Sequence, residues 1–230
     1  MIDSTLVKLS AAQLGAGLCG IAPVARFEQA PAGFHPCDIW PDCRSVVVVA
    51  CRFPLSTLLA RTHAPYTLVR NKLVEQLDTI TCRLSAMLEQ QGALALPIPS
   101  AEPYEHWEPE RRHGRGILSL KHAAVLAGLG KMGRNTLLIN ETYGNMLWLG
   151  AVLVAAELEP DPLAAYEACP PRCRICLDAC PQQALDGTTI DQQRCRERSA
   201  SSTEGGGWVL SCNLCRKLCP RHAGIRKAGS

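Results

Sequence analysis

Cys169-Pro-Pro-Arg-Cys173-Arg-Ile-Cys176-Leu-Asp-Ala-Cys180-Pro181, followed after Cys195 by Cys212-Asn-Leu-Cys215-Arg-Lys-Leu-Cys219-Pro220, decides the reading of this chain. Each run ends in C-x2-C-x3-C-P. Closely spaced thiolates present several sulfurs to one face of an iron–sulfur cluster from a single short turn. A proline after the last cysteine ends that turn and frees the side chain to point elsewhere. Zinc is the competing reading, because paired C-x2-C units separated by about 15 to 20 residues also describe zinc ribbons. A zinc site, however, closes with four ligands and has no need of a doubled C-x3-C-P ending.

The spacing resembles that of bacterial two-cluster ferredoxins, where three cysteines of a run hold one cubane and the fourth reaches across to the other. On that wiring Cys169, Cys173, Cys176 and Cys219 hold one 4Fe-4S cluster, and Cys180, Cys195, Cys212 and Cys215 hold the second. Cys169 departs from the pattern. Three residues rather than two separate it from Cys173, so either the loop bulges there or that iron is bound differently.

Around this stretch, 230 residues accommodate one medium domain and a small module, and 47% hydrophobic residues suffice for an ordinary core. The net charge of +3 is too small to point to nucleic acid. Residues 189–230 nevertheless carry eight Lys or Arg against three acids. That surplus either docks an acidic partner or a phosphate-bearing ligand, or, more simply, offsets the charge of two thiolate-bound clusters. Thirteen cysteines without a charged-then-apolar leader imply a reducing cytoplasm, and no apolar run reaches the length of a membrane span. Of the remaining cysteines, Cys19, Cys37, Cys43, Cys51 and Cys82, most read as small buried hydrophobes.

Along the chain, Ser4 is expected to cap an amphipathic helix over residues 5–17, and residues 19–24 read as a short strand. Residues 28–44 read as loop. The continuous run SVVVVA at 45–50 suits a strand covered on both faces, in the middle of a sheet. Apolar positions at helical spacing over 66–91, closed by Gly92, predict a helix packed on that sheet. A strand is expected at 93–98 and a loop at 100–116. Ser119 caps a helix through SLKHAAVLAGLG, and two strands at 135–140 and 145–155 meet in a turn at 141–144. Alternating elements over residues 1–160 predict an α/β sandwich, with residues 161–230 forming a small module whose core is replaced by its clusters.

Gly128-Leu-Gly130-Lys-Met-Gly133 matches G-x-G-x-x-G. A dinucleotide fingerprint follows a strand and opens a helix, whereas here a helix precedes the glycines and an extended segment follows. The glycines supply backbone without Cβ atoms, able to turn sharply or to approach a large flat ligand.

SLKHAAVLAGLGKMGRNTLLIN at 119–140, Tyr143-Gly144, LGAVL at 149–153 and ELEPD at 157–161, followed by the double cysteine run, resemble the epoxyqueuosine reductases and the related reductive dehalogenases, which are corrinoid-dependent iron–sulfur enzymes. The likeness covers about residues 115–220, and more loosely the strand at 45–50 and the helix at 66–91. It implies a nitroreductase-like α/β (α+β) sandwich holding base-off cobalamin beside a two-cluster ferredoxin-like module. Gly128, Gly130, Gly133, Asn135 and Thr136 would lie against the corrin, with Tyr143 and Asn145 near the same pocket. The family carries an aspartate proton donor in a context like Val-Asp-Ser-Gly-Pro. The corresponding stretch PIPSAEP at 97–103 has none, so Glu102, Tyr104 and His106 in the adjoining loop are the candidate acids. The family's further tRNA-holding sequence is not found before Ser230, which disfavours tRNA as substrate.

Two functions follow from these readings. One is a reductase: a low-potential donor of ferredoxin or flavodoxin type feeds the clusters, which pass single electrons to a corrinoid acting on a small-molecule substrate. The other is a ferredoxin-like electron carrier or maturation partner without catalysis of its own. An RNA-binding module is not expected, since residues 161–230 lack interleaved aromatics apart from Tyr166 and Trp208.

Overall fold

The computed structural model describes residues 2–110 and 113–225. In chain order, helix α1 (Ser4–Gln13) leads to strand β1 (Leu18–Pro23), the short helix α2 (Pro36–Ile39), β2 (Ser45–Arg52), the long helix α3 (Ala64–Gln90) and β3 (Ala95–Ile98). Then come β4 (His106–Glu108), β5 (His113–Arg115), α4 (Leu120–Leu126), β6 (Lys131–Met132), β7 (Leu138–Ile139) and β8 (Leu147–Val154). The cysteine-rich remainder carries α5 (Ile175–Asp178), α6 (Gln192–Ser199), β9 (Ser201–Ser202), β10 (Trp208–Val209) and α7 (Leu214–Lys217).

The valines of β2 place it in the centre of a four-stranded sheet ordered β1-β2-β8-β3. Every pairing is antiparallel, with Val48 opposite both Gly20 and Ala151. Both faces of the sheet are covered, which is why the strand reads as continuously apolar rather than alternating. Val47, Val49 and Val152 face α1 and α3, whereas Val46, Val48 and Ala151 face Ala123, Ala124 and Ala127 around α4. Each fully buried valine or leucine contributes about 1.5–3 kcal/mol. In α3 the buried positions Leu73, Leu77, Ile80, Leu84 and Leu88 recur every three or four residues, so one stripe meets the sheet. The result is a mixed α/β fold with helices on both sides of an antiparallel sheet. Among the described residues, no helix is long and apolar enough to cross a membrane.

Local expectations fail where tertiary contacts decide. The first helix is capped by Asp3 rather than Ser4: the Asp3 carboxylate accepts from the Thr5 N–H at 3.0 Å. Residues 28–44 contain α2, whose start is closed by a capping box between His35 and Asp38. Within the segment 100–116, the described residues of β4 and β5 pair antiparallel. The extended segment 135–140 pairs at Leu138–Ile139 with Lys131–Met132 and at Asn140 with Gly144, rather than with the main sheet. The helix begun at Ser119 stops at Leu126, and the Ser119 hydroxyl meets His122 Nδ1 at 2.7 Å instead of a backbone N–H.

Asp161 fastens the chain where it leaves the sheet. Its N–H donates to the Ile21 carbonyl at 3.0 Å and its carboxylate accepts from the Ile21 N–H at 2.9 Å and from Lys8 Nζ at 2.6 Å. Arg26 then donates to the carbonyls of Asp161 and Leu126, at 2.8 and 2.7 Å, tying β1, α4 and the exit segment together.

Two thiols of this body make its stability depend on alkali. Burial pushes Cys19 up to about 12, against the pull of Lys8 and with a push from Asp161; burial likewise pushes Cys43 up to about 11. Both stay protonated in the folded state at pH values where the unfolded thiol, at 9.0, has ionised. Their contribution is therefore complete below about pH 9 and is lost as pH rises toward 11 to 12. The urea midpoint of the protein is expected to fall between pH 8.5 and 11, and Cys19→Ala with Cys43→Ala to flatten that fall; an equal fall in the double variant contradicts the assignment.

Candidate metal centre

The two cysteine runs build matching turns. Cys173 and Cys212 stand just before α5 and α7, while Cys176 and Cys215 lie inside them. The extra residue before Cys173 is absorbed by a bulge: Arg172 is left-handed, with φ of 57°, and the Cys173 N–H closes the turn on the Pro170 carbonyl at 3.1 Å. All thirteen cysteines are free thiols.

The thiols fall into two sets. Burial raises the Cys176 pKa, and Cys169, Cys219 and Cys173 raise it further. Burial also raises Cys219, with Cys169 and Cys173 adding to the effect. In the second set, burial is again the largest influence on Cys195, and Cys212 and Cys180 raise it as well. Burial pushes Cys215 up to about 11, opposed by the Arg216 charge and reinforced by Cys195, Cys212 and Cys176. Charges influence one another in this way only at short range. Cys219 thus lies near thiols of the first run and Cys180 near Cys195, while Cys176 also bears on Cys215, so the two groups of thiols adjoin. The Arg134 N–H points at Cys169 Sγ at 3.4 Å, and the Ala184 N–H at Cys180 Sγ at 3.3 Å. Among the described residues, no three His, Cys, Asp or Glu side chains converge on a single-ion site. The donor sets are all-thiol, the soft chemistry that suits iron–sulfur clusters.

The sets are seated on the sheet body by residues that the sequence placed against a corrin. Asn135, 2% exposed, donates through Nδ2 to the Cys215 carbonyl at 3.0 Å and accepts from the Leu137 N–H at 3.2 Å. Asn145, 1% exposed, donates through Nδ2 to the Arg216 carbonyl at 3.2 Å, and Arg216 donates back to the Asn145 carbonyl. The glycines also face protein. A Cβ on Gly128 would stand 2.2 Å from the Pro162 carbonyl, on Gly130 2.5 Å from the Ile139 carbonyl, and on Gly133 2.8 Å from Asn135 Oδ1. Their lack of a side chain serves chain-on-chain contact, and at Gly128 also a φ of +75°. Thr136 is buried and left-handed, and its carbonyl accepts from Lys121 Nζ at 2.7 Å. The half-buried Tyr143 lies under the Arg52 guanidinium, 5.8 Å from the ring centre.

The candidate acids lie on or beside β4. Glu102 and His106 are exposed and Tyr104 is half-buried. His106 packs on Phe34 at 5.0 Å and Tyr104 on Trp107 at 6.1 Å between ring centres. The β4–β5 pair docks on α6, the helix that carries Cys195, through paired hydrogen bonds between Gly114 and the Gln192 side chain. An open pocket of 610 Å³ lies beside this contact, lined by residues between Gln183 and Arg194.

Three cations beside the thiols were not singled out from sequence. The Arg134 guanidinium donates to the Cys173 carbonyl at 2.8 Å. Arg216 is 5% exposed and lies over Phe53 and Trp148, at 5.8 and 5.7 Å. Burial and the Arg216 charge push the Lys121 ammonium below its usual range, while Cys215 and Cys195 push it back up. Only the general basic excess of the last forty residues hinted at Arg216, and nothing local marked Lys121.

No family model matches the chain. Over 122 residues it is 36% identical to an epoxyqueuosine reductase of Staphylococcus aureus, in an alignment that spans 48% of this chain and 31% of that protein. It is similar in structure to epoxyqueuosine reductase from Streptococcus thermophilus, with a TM-score of 0.67 and 19% identity over 100% of this chain and 69% of that one. It is also similar to a reductive dehalogenase whose structure suggests a mechanism for B12-dependent dehalogenation, with a TM-score of 0.66 and 19% identity over 93% of this chain and 31% of that one. The aligned region thus spans about a third of the length of the curated relative.

The asparagine seat has a measurable weight. Asn135→Ala leaves the Cys215 carbonyl without its partner, at a cost of about 1–3 kcal/mol. A lowered urea midpoint is expected, together with faster alkylation of Cys215 in the apoprotein; unchanged values for both contradict the seat.

Proposed function

We propose that this chain, a relative of the epoxyqueuosine reductases, is an iron–sulfur redox enzyme in which two 4Fe-4S clusters pass single electrons to a corrinoid for the reduction of a small-molecule substrate. Cys169, Cys173, Cys176 and Cys219 hold one cluster, and Cys180, Cys195, Cys212 and Cys215 the other. Residues 1–160, a nitroreductase-like sandwich, carry the corrinoid, and residues 161–230 form the cluster module. The observation that carries this reading is the pair of matching cysteine turns, with Cys176 and Cys215 inside α5 and α7 and a backbone N–H aimed at Cys169 Sγ and at Cys180 Sγ.

When bound, the clusters and the corrinoid supply the single-electron and reductive chemistry that side chains lack. The protein's own contribution is position and field. Asn135 and Asn145 hold the second run by its backbone, at the carbonyls of Cys215 and Arg216. The N–H groups of Arg134 and Ala184 point at one sulfur in each set, where a hydrogen bond steadies a thiolate and favours the more reduced cluster. Because the thiols are raised by burial and by one another, ligation displaces protons, and loading is helped by higher pH. The corrinoid rests on kinship with the relatives; Gly128, Gly130, Asn135 and Asn145 are engaged by protein.

Anaerobic reconstitution with iron and sulfide tests the clusters. About eight irons and eight sulfides per chain are expected, falling to about four in Cys176→Ser and in Cys215→Ser. Zinc without acid-labile sulfide overturns the proposal. Hydroxocobalamin added to the reconstituted protein is expected to stay with it through desalting and to show a base-off cobalt signal; complete loss on the column removes the corrinoid from the scheme.

A further inference from the structure

We propose that Lys121 and Arg216 form a sheltered cationic wall against the cluster held by Cys180, Cys195, Cys212 and Cys215, and thereby raise the reduction potential of that cluster. The inference rests on the cluster reading above.

The geometry is a short relay of contacts. Lys121, on α4, donates to the Thr136 carbonyl at 2.7 Å. The adjoining Asn135 donates to the carbonyl of Cys215 at 3.0 Å. Arg216 follows Cys215 directly, is 5% exposed, and is walled in by Phe53 and Trp148 while donating to the Asn145 carbonyl. Two cations therefore stand beside the Cys215 segment, close enough to repel each other.

Such an arrangement is costly by itself. Sheltering a charge requires a partner of opposite sign, yet among the described residues neither Lys121 nor Arg216 forms an ion pair with a carboxylate. Of the other cations near thiols, Arg174 pairs with Asp178 at 3.5 Å, and the Arg134 guanidinium is taken up by the Cys173 carbonyl at 2.8 Å. A cubane bound by four thiolates is a net anion, and it supplies the missing counter-charge. Reduction adds one electron and no proton, so the site becomes more negative by one charge. Cations held in a poorly screened position favour that state.

The test uses the full chain, reconstituted anaerobically and titrated with dithionite while each cluster is followed by electron paramagnetic resonance. Lys121→Gln is expected to lower one of the two midpoint potentials and leave the other in place, with iron and sulfide at the wild-type level. Lys121→Arg is expected to keep both. If Lys121→Gln loads poorly, Lys121→Met, which retains the aliphatic stem without the charge, is titrated in its place. Loss of a cluster in both neutral variants but not in Lys121→Arg supports the same requirement for positive charge. The proposal is overturned if both potentials stay unchanged in the neutral variants, if both fall equally, or if Lys121→Arg behaves like Lys121→Gln. Absence of sulfide from the reconstituted wild-type protein instead overturns the cluster reading, and that result precedes any titration.

Discussion

Two asparagine amides, both almost wholly withdrawn from water, hold the carbonyls of Cys215 and Arg216, and the arrangement of the thiols depends on that grip. A hydrogen bond in such a place is worth more than its net contribution in water suggests, because the alternative is an unpaired buried carbonyl. Asn145 opens the approach to β8, a central strand bonded on both edges. Asn135 follows β6 in the hairpin that α4 delivers. The centre of the sheet is thereby connected, through two side chains, to the turn that carries Cys212 and Cys215.

The same seam concentrates charge. Arg216 exchanges hydrogen bonds with Asn145 and rests on two aromatic rings, so its position is determined by packing as much as by polarity. Lys121 reaches the region from the opposite side of the hairpin. Thiols that resist ionisation in the apoprotein and cations that, among the described residues, lack carboxylate partners are complementary deficits, which the anionic cluster of the proposed function would answer.

The glycine segment illustrates how far local reading extends. From the residue types alone, close approach of something to the backbone at 128–133 was legible, since only glycine permits it. The approaching groups are the carbonyls of Pro162 and Ile139 and the side chain of Asn135. None of these identities is visible from the motif. Asn135 and Asn145 tell the same story, because small polar residues near such a loop suit a ligand as well as a neighbouring chain. Their partners stand 80 and 71 residues away, beyond the range of any spacing argument.

What the chain's order of residues determined by itself was whatever depends on near neighbours: the doubled cysteine turns, the central β2 with its valines, and the long stripe of α3. Covalent spacing and backbone periodicity act over a few residues, and those elements needed nothing more. Tertiary structure alone decided the antiparallel strand order, the burial of Arg216, the placing of Lys121 beside a thiol set, and the use of two asparagines as clamps. Each of these depends on which distant surface fills the space beside a residue, and that is settled only when the sheet, its helices and the cysteine turns pack together.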